Sequence, residues 1–391
     1  MKITRIEDLH CDAGWRNFSF LKISTDAGIV GYSEYNESYG SAGLTATITA
    51  LGETLIGQDP RPIERIVARL HGITRHAPGG INQQAIAALE NALLDVKAKD
   101  LGIPVYQLLG GAVRPRLQLY WSHCGTYRLA HHAVMGKPPL RTLDDVVALG
   151  REAKQSGFAA LKTNIFLLDV DPPVLYMPGF GNGPGAPALN AEKRVIDALD
   201  QQLAAFRQGA GPDVALILDL NFNFKTEGFL QVTRALDNHG LMWFEIDSFD
   251  AAALGLIRRR TSTPIASCES LYGRRAFLPY FEHQAMDVAI VDAPWNGVLE
   301  SVKIAAMAEA WEVNVAPHNF YGHLSTLMSA HFCAALPNFR IMEIDVDDVP
   351  WKDDLVSTPP VIEDGHLVLP RAPGWGAEVN EEAVRAHPPK R

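Results

Sequence analysis

Val214-Ala-Leu-Ile-Leu-Asp219, Leu241-Met-Trp-Phe-Glu245 and Pro264-Ile-Ala-Ser-Cys-Glu269 are three short apolar runs, each ending on a carboxylate. The carboxylates are spaced 26 and 24 residues apart, and residues 226–239 and 251–260 between them have helical length. A strand, a helix and a parallel return strand need a stretch of about 30 residues. Parallel neighbours point the same way, so all three acids emerge at one end of one sheet. Three hard oxygen ligands gathered there suit a divalent cation such as Mg2+. The plain reading, in which each acid only caps its loop, accounts better for one acid than for three at matched spacing.

Working outward, strand and helix alternate from residue 117 to residue 344. Strands are expected at 117–122, 159–165, 214–220, 241–246, 264–269, 286–292, 313–316 and 340–344, with helices between most of them. Thr142-Leu-Asp-Asp145 has an N-cap threonine and an acid three residues later, which starts a helix. Eight such strands, over about 230 residues, predict an α/β barrel. A doubly wound open sheet is the rival, but no Gly-rich phosphate loop follows any strand.

Residues 1–115 read as an α+β capping domain. Strands are expected at 2–9, 18–25 and 31–35, with a turn at Asp26-Ala-Gly28, then helices at 43–56, 60–70 and 81–99. In the last helix Ile86, Leu89, Leu93 and Val96 keep helical spacing. Residues 351–391 are expected to return to this domain, with a strand at 366–369. Residues 171–190 are too rich in proline and glycine for a helix. They follow the second barrel strand, where a lid over the site and a plain surface insertion both fit.

A chain of 391 residues exceeds one small core, and its net charge is −10. That balance argues against nucleic acid or an anionic membrane as partner. An anionic substrate stays compatible with it, because a bound metal reverses the local field. Cys11, Cys124, Cys268 and Cys333 form no CxxC pair, which fits a reducing, cytoplasmic setting. The charged start Met1-Lys-Ile-Thr-Arg lacks the apolar core of a secretion signal, and no apolar run has membrane-spanning length.

Barrel enzymes work at the C-terminal ends of their strands. In strand order this chain places there Lys162 and Asn164, Asp219 and Asn221, Glu245, Glu269, Asp292, His318 and Glu343. The set is chemically coherent. A metal on Asp219, Glu245 and Glu269 can hold a substrate carboxylate and take up charge as its α-proton leaves. His318 suits the base, and Asp292 one strand away can fix its tautomer. Lys162 serves as a second base or neutralises the substrate. Glu343, if protonated or bridged, can hydrogen-bond the developing enediolate. His76, His123 and His323 show no partner in the sequence and read as ordinary residues. Trp15, Arg16, Tyr39 and Arg75, in the capping domain, are candidate substrate contacts.

On these residues the chain resembles the enolase superfamily, and within it the mandelate racemase subgroup that includes acid-sugar dehydratases. The resemblance covers nearly the whole length and implies an α+β capping domain over residues 1–115, a modified TIM barrel of the (β/α)7β type over residues 116–350, and a segment 351–391 returning to the capping domain. It implies metal ligands at Asp219, Glu245 and Glu269, a His318–Asp292 dyad, an eighth-strand acid at Glu343, and a Lys-x-Lys motif at Lys162 and Asn164. Two departures stand out. Glu245-Ile-Asp247 replaces the usual Glu-Glu-Pro, and Asn164 replaces a lysine that is a base in the racemases. An amide takes up no proton at neutral pH, which disfavours two-base racemisation. Lys-x-Asn is similar to the galactonate-type dehydratases, although their further histidine is Asn221 here. The resemblance thus implies an Mg2+-dependent dehydratase of a sugar acid, giving a 2-keto-3-deoxy acid. A racemase, epimerase or cycloisomerase using the same enolate is the alternative, and a non-catalytic relative the third reading. By analogy the substrate is a small carboxylate and the assembly a homo-oligomer.

Overall fold

The computed structural model describes residues 1–181 and 183–390; Asn182, within the 171–190 insertion, lies outside them. The alternating first stretch pairs as β1 (Ile3–Asp12), β2 (Asn17–Thr25) and β3 (Val30–Tyr35), an antiparallel sheet in that order. Helices Leu44–Glu53, Ile63–Ile73 and Gly80–Leu101 follow. The last is buried along most of its length, and β3 runs against it. Gly31 makes this possible, since a Cβ there would collide with the carbonyl of Ala92.

From residue 116 the pairing becomes parallel. The elements are β4 (Arg116–Ser122), β5 (Ala160–Thr163), β6 (Phe166–Leu167), β7 (Val174–Leu175), β8 (Ala215–Asp219) and β9 (Trp243–Glu245). They continue with β10 (Ile265–Ser267), β11 (Val288–Val291), β12 (Asn314–Pro317) and β13 (Met342–Asp345). β4, β5, β8, β9, β10, β11 and β12 are successive parallel neighbours, and β13 pairs with β4. Residues Asn338 and Arg340, just before β13, bond both sides of Val315 in β12 at 2.8 Å. The sheet therefore closes into the eight-stranded barrel, and the open-sheet alternative is excluded. Helices lie between strands, and Thr142 forms the expected capping box with Asp145.

The barrel interior decides what reaches the site. Tyr120, Ala160, Ile217, Trp243, Ala266, Ile290, Ala316 and Ile341, one per strand, form a fully buried apolar layer. Side chains alternate along a strand, so the next inward positions are Ser122, Lys162, Asp219, Glu245, Cys268, Asp292, His318 and Glu343. Seven of the eight are polar or charged. The apolar layer is thus the floor on which the chemistry stands.

Two expectations change. Residues 366–369 do not join the capping sheet. β14 (Val361–Glu363) and β15 (His366–Val368) form a hairpin whose second strand pairs antiparallel with the start of β4. The edge of β4 below its parallel partners is free to accept it. Residues on either side of the hairpin reach the cap: the Trp351 indole N–H donates to the Asp12 carbonyl at 2.8 Å, Trp375 bonds Asp95 and the carbonyl of Tyr32, and Lys22 pairs with Glu381 at 2.5 Å. The insertion, where described, is anchored. β6 pairs with β7, Gly179 N–H donates to Asn223 at 3.0 Å, and Tyr176 stacks on Phe224. It rests on the loop that follows Asp219.

Candidate active site

Asp219 and Glu245 are directly opposed on neighbouring strands β8 and β9. Both are buried, as is Lys162 from β5. Lys162 Nζ lies 2.7 Å from Glu245, 2.8 Å from Glu343 and 3.6 Å from Asp219. Burial opposes its charge, but Glu245 and Glu343 outweigh that and hold its pKa well above the ordinary lysine value. In this arrangement Lys162 is a protonated counter-charge to these carboxylates. Burial pushes Glu245 up to about 8, with Lys162 pulling against it and Asp219 and Glu269 adding to the rise. Its second oxygen accepts the Trp243 indole N–H at 3.0 Å.

Glu269 needs a break in the alternation. Cys268 occupies the inward register, yet it packs outward with the barrel–helix core and has φ 92°. That left-handed conformation is uncommon for a non-glycine residue and stores strain. It turns Glu269 inward, where one oxygen lies 3.7 Å from His318 Nε2. Asn221, with φ 45°, and His123, with φ 48°, repeat the device after β8 and β4.

On the far flank, His318 Nδ1 and Asp292 Oδ2 are 2.7 Å apart. Asp292 also accepts Tyr321 O–H at 2.5 Å and Trp295 N–H at 2.7 Å. Burial disfavours the His318 cation, but Glu269 and Asp292 push its pKa up to about 10. Glu343 accepts from Ser122 at 2.5 Å and from the Asn319 N–H at 2.6 Å. Burial works against its ionisation, yet Lys162, His318 and His123 hold its pKa below the usual carboxylate range. In this arrangement Glu343 is an ionised hydrogen-bond acceptor.

The donor set fits a hard divalent cation. Asp219, Glu245, Asp247, Glu269, Asp292 and Glu343 are all buried or nearly so, and Lys162 and His318 are the cations paired with them at close range among the described residues. Asp247 Oδ2 is buried without a hydrogen-bond partner among the described residues, and burial beside Glu269 and Asp219 raises its pKa well above normal. Asp219, Glu245 and Glu269, the expected ligands, stand at or just after the ends of β8, β9 and β10. Among the described residues no group of three or more His, Cys, Asp or Glu is arranged as an ion cage. Like charges separate, and each finds its own cation: Glu245 turns to Lys162 and Glu269 faces His318.

Asn164 accepts from Thr126 at 2.8 Å and donates to Asn221 Oδ1 at 3.2 Å, so the two amides form a fixed pair. Arg16 is buried against Asp348 at 2.8 Å and Asp345 at 3.8 Å, with its guanidinium over the Trp15 ring. Trp15 stacks on Tyr127 and His131. Both are engaged by the protein at the cap–barrel boundary. Tyr39 reaches Phe320, beside His318, whereas Arg75 is exposed. The cap also fixes the loops. Glu34 accepts the N–H groups of Gly322 and Ser325 at 2.6 and 2.9 Å, and Asn91 bonds Ala293 and Val298 around Asp292.

His123, for which the sequence shows no partner, has one in the fold. Its Nδ1 lies 2.8 Å from Asp345 Oδ1, and Tyr127 donates to the other oxygen at 3.0 Å. The available signal was the two-residue step from Glu343 to Asp345 on one strand face. His323 remains ordinary: it pairs with Asp353 at 2.6 Å.

Two family models account for most of the chain. Residues 145–383 match the model described as enolase C-terminal domain-like, and residues 13–110 the mandelate racemase/muconate lactonizing enzyme N-terminal domain. The chain belongs to the enolase superfamily, in its mandelate racemase subgroup. Among superfamily relatives, D-xylonate dehydratase of Haloferax volcanii is 28% identical over 99% of this chain and 89% of that protein. D-galactonate dehydratase of Ralstonia nicotianae is 28% identical over 98% of this chain and 94% of its own. A Burkholderia xenovorans structure, provisionally called an L-alanine-DL-glutamate epimerase, is 50% identical with a TM-score of 0.98. It covers all of this chain and 99% of its own, and a second structure under that name holds magnesium and fumarate. Among the described residues no helix is long and apolar enough to cross a membrane, and all four cysteines are free and buried.

Proposed function

We propose that this chain is a lyase, an Mg2+-dependent dehydratase of an aldonic or aldaric acid. The observation that carries it is the His318–Asp292 dyad facing the buried carboxylates and Lys162 at one end of the barrel. The dehydratases of xylonate and galactonate among its relatives support the same reading. Asp219, Glu245 and Glu269 are the residues that would hold the cation. When bound there, Mg2+ supplies positive charge that steadies the substrate carboxylate and the charge growing on it.

The chain's own groups do the rest. Lys162, held as an ammonium, gives the acid end of the substrate a second positive neighbour. Asp292 anchors His318 Nδ1, and Glu269, the main cause of the raised His318 pKa, would be engaged by the cation, so Nε2 is the atom left to take the α-proton. Glu343 fixes the Lys162 ammonium, the Ser122 hydroxyl and the loop after β12. Loss of the β-hydroxyl as water leaves an enol, which becomes a 2-keto-3-deoxy acid. The apolar floor and the capping loops keep bulk water from the anionic carbon. The buried free thiols and the acidic surface fit a cytoplasmic enzyme with a small-molecule substrate.

The test is incubation with a panel of aldonic and aldaric acids plus Mg2+, reading 2-keto product. Activity that survives both EDTA and His318→Asn defeats the proposal. A second reading, an epimerase, is favoured by the provisional name of the 50% identical structure. It predicts α-deuterium exchange without loss of water.

A further inference from the structure

We infer that His123, held by Asp345, is the acid that gives a proton to the leaving β-hydroxyl; this rests on the dehydratase reading above. Ser122 occupies the last inward position of β4, so plain alternation would send His123 outward. Its φ of 48° reverses that direction and brings the ring to Asp345. Asp345 lies two residues beyond Glu343 on β13, so it shares that face one layer nearer the mouth.

The pair repeats the His318–Asp292 arrangement. In each, Nδ1 lies 2.7 or 2.8 Å from a carboxylate oxygen of a neighbouring strand. Nε2 of His123 has no partner among the described residues, and the side chain is 18% exposed. Phe320 stands between the two imidazoles, with ring centroids 6.0 Å from His123 and 4.9 Å from His318.

Position around the barrel assigns the roles. The carboxylates expected to hold the acid end come from β8, β9 and β10. β13 and β4 lie across the barrel from them. A substrate anchored at β8–β10 and extended over Glu343 directs its far carbons at His123. His318, on β12, flanks the same path at the α-carbon. Return of the α-proton by His318 itself, in a syn elimination, is the competing route that the test below separates. Lys162 is committed to Glu245 and Glu343, and Asn164 and Asn221 are amides bonded to each other.

The step balances without an oxidant or a second reactant. His318 takes the α-proton, and the C–H electron pair becomes the carbon–carbon double bond. The β C–O bond breaks as imidazolium His123 passes its Nε2 proton to the departing oxygen, which leaves as water. The enol then takes a proton at carbon 3 and loses its O–H proton, becoming the ketone; His318 gives up the proton it took, and His123 regains one from solvent.

The experiment uses the Mg2+-loaded protein in D2O, with a sugar acid that it dehydrates and the β-fluoro analogue of that acid. His123→Gln is expected to slow water elimination about 10²- to 10³-fold, the usual contribution of a general acid. α-Deuterium exchange and fluoride release stay near wild type, because neither needs that proton. Asp345→Asn gives a smaller loss of the same kind, with the melting temperature of both variants recorded as a folding control. Unimpaired dehydration by His123→Gln overturns the inference and leaves the dehydratase reading standing. Equal loss of dehydration, exchange and fluoride release also overturns it, by showing a structural role. Wild-type protein that exchanges the α-proton yet never releases water overturns both.

Discussion

Lys162→Met removes the cation that three carboxylates share, at 2.7, 2.8 and 3.6 Å, while keeping most of the side-chain volume. Taking one partner from a buried ionic group costs about 3–5 kcal/mol. Proton uptake limits the loss, because Glu245 already stands at about 8. A chain of this length unfolds with an entropy of roughly 0.8 kcal/mol/K, so the variant should melt about 4–6 °C lower in EDTA. Mg2+ offers the carboxylates a replacement charge. At a hundred times its Kd it adds about 2.7 kcal/mol to the folded state, or about 3 °C. Lys162 repels that ion in the wild type, so the gap between the proteins should narrow as Mg2+ is added. Thermal unfolding followed by circular dichroism, with and without Mg2+, reads all four values. An unchanged melting temperature in EDTA, or no response of either protein to Mg2+, would refute the view of these acids as a cation site.

Further predictions follow from the same geometry. Asp292→Asn should leave the fold intact and lower dehydration about 10²- to 10⁴-fold, with α-deuterium exchange falling equally, since His318 loses its anchor. The metal-free protein should lose stability as pH rises from about 4.5 to about 10. Glu245 has its folded pKa raised from 4.5 to about 8, and His318 from 6.5 to about 10, so the folded state binds more protons across that range. Urea unfolding in EDTA checks this, and a rise in stability with pH contradicts it. Cys268→Val should weaken Mg2+ binding about tenfold or more while Cys268→Gly retains it, because a β-branched residue resists the φ of 92° that aims Glu269; isothermal titration decides. Glu34→Ala orphans two buried N–H groups and should cost about 2–6 kcal/mol in denaturant unfolding.

What was legible in the sequence was everything carried by local pattern. Apolar runs ending in Asp219, Glu245, Glu269 and Asp292 marked strands, the matched spacing marked parallel neighbours, and Thr142-x-x-Asp145 marked a helix start. Such signals span a few residues or one strand–helix unit, so periodicity and capping chemistry suffice to read them. Tertiary structure decided what depends on closure of the barrel and on single backbone angles. Closure sets Lys162 between Glu245 and Glu343, which makes it a counter-charge and keeps Glu343 ionised. Closure also brings His123 to Asp345, 222 residues later in the chain. Positive φ at His123 and Cys268 overrides the alternation from which a sequence reader infers which side chains point inward. Strand alternation is a local rule that any sequence displays; a reversal at one residue is held in place only by the packing around it.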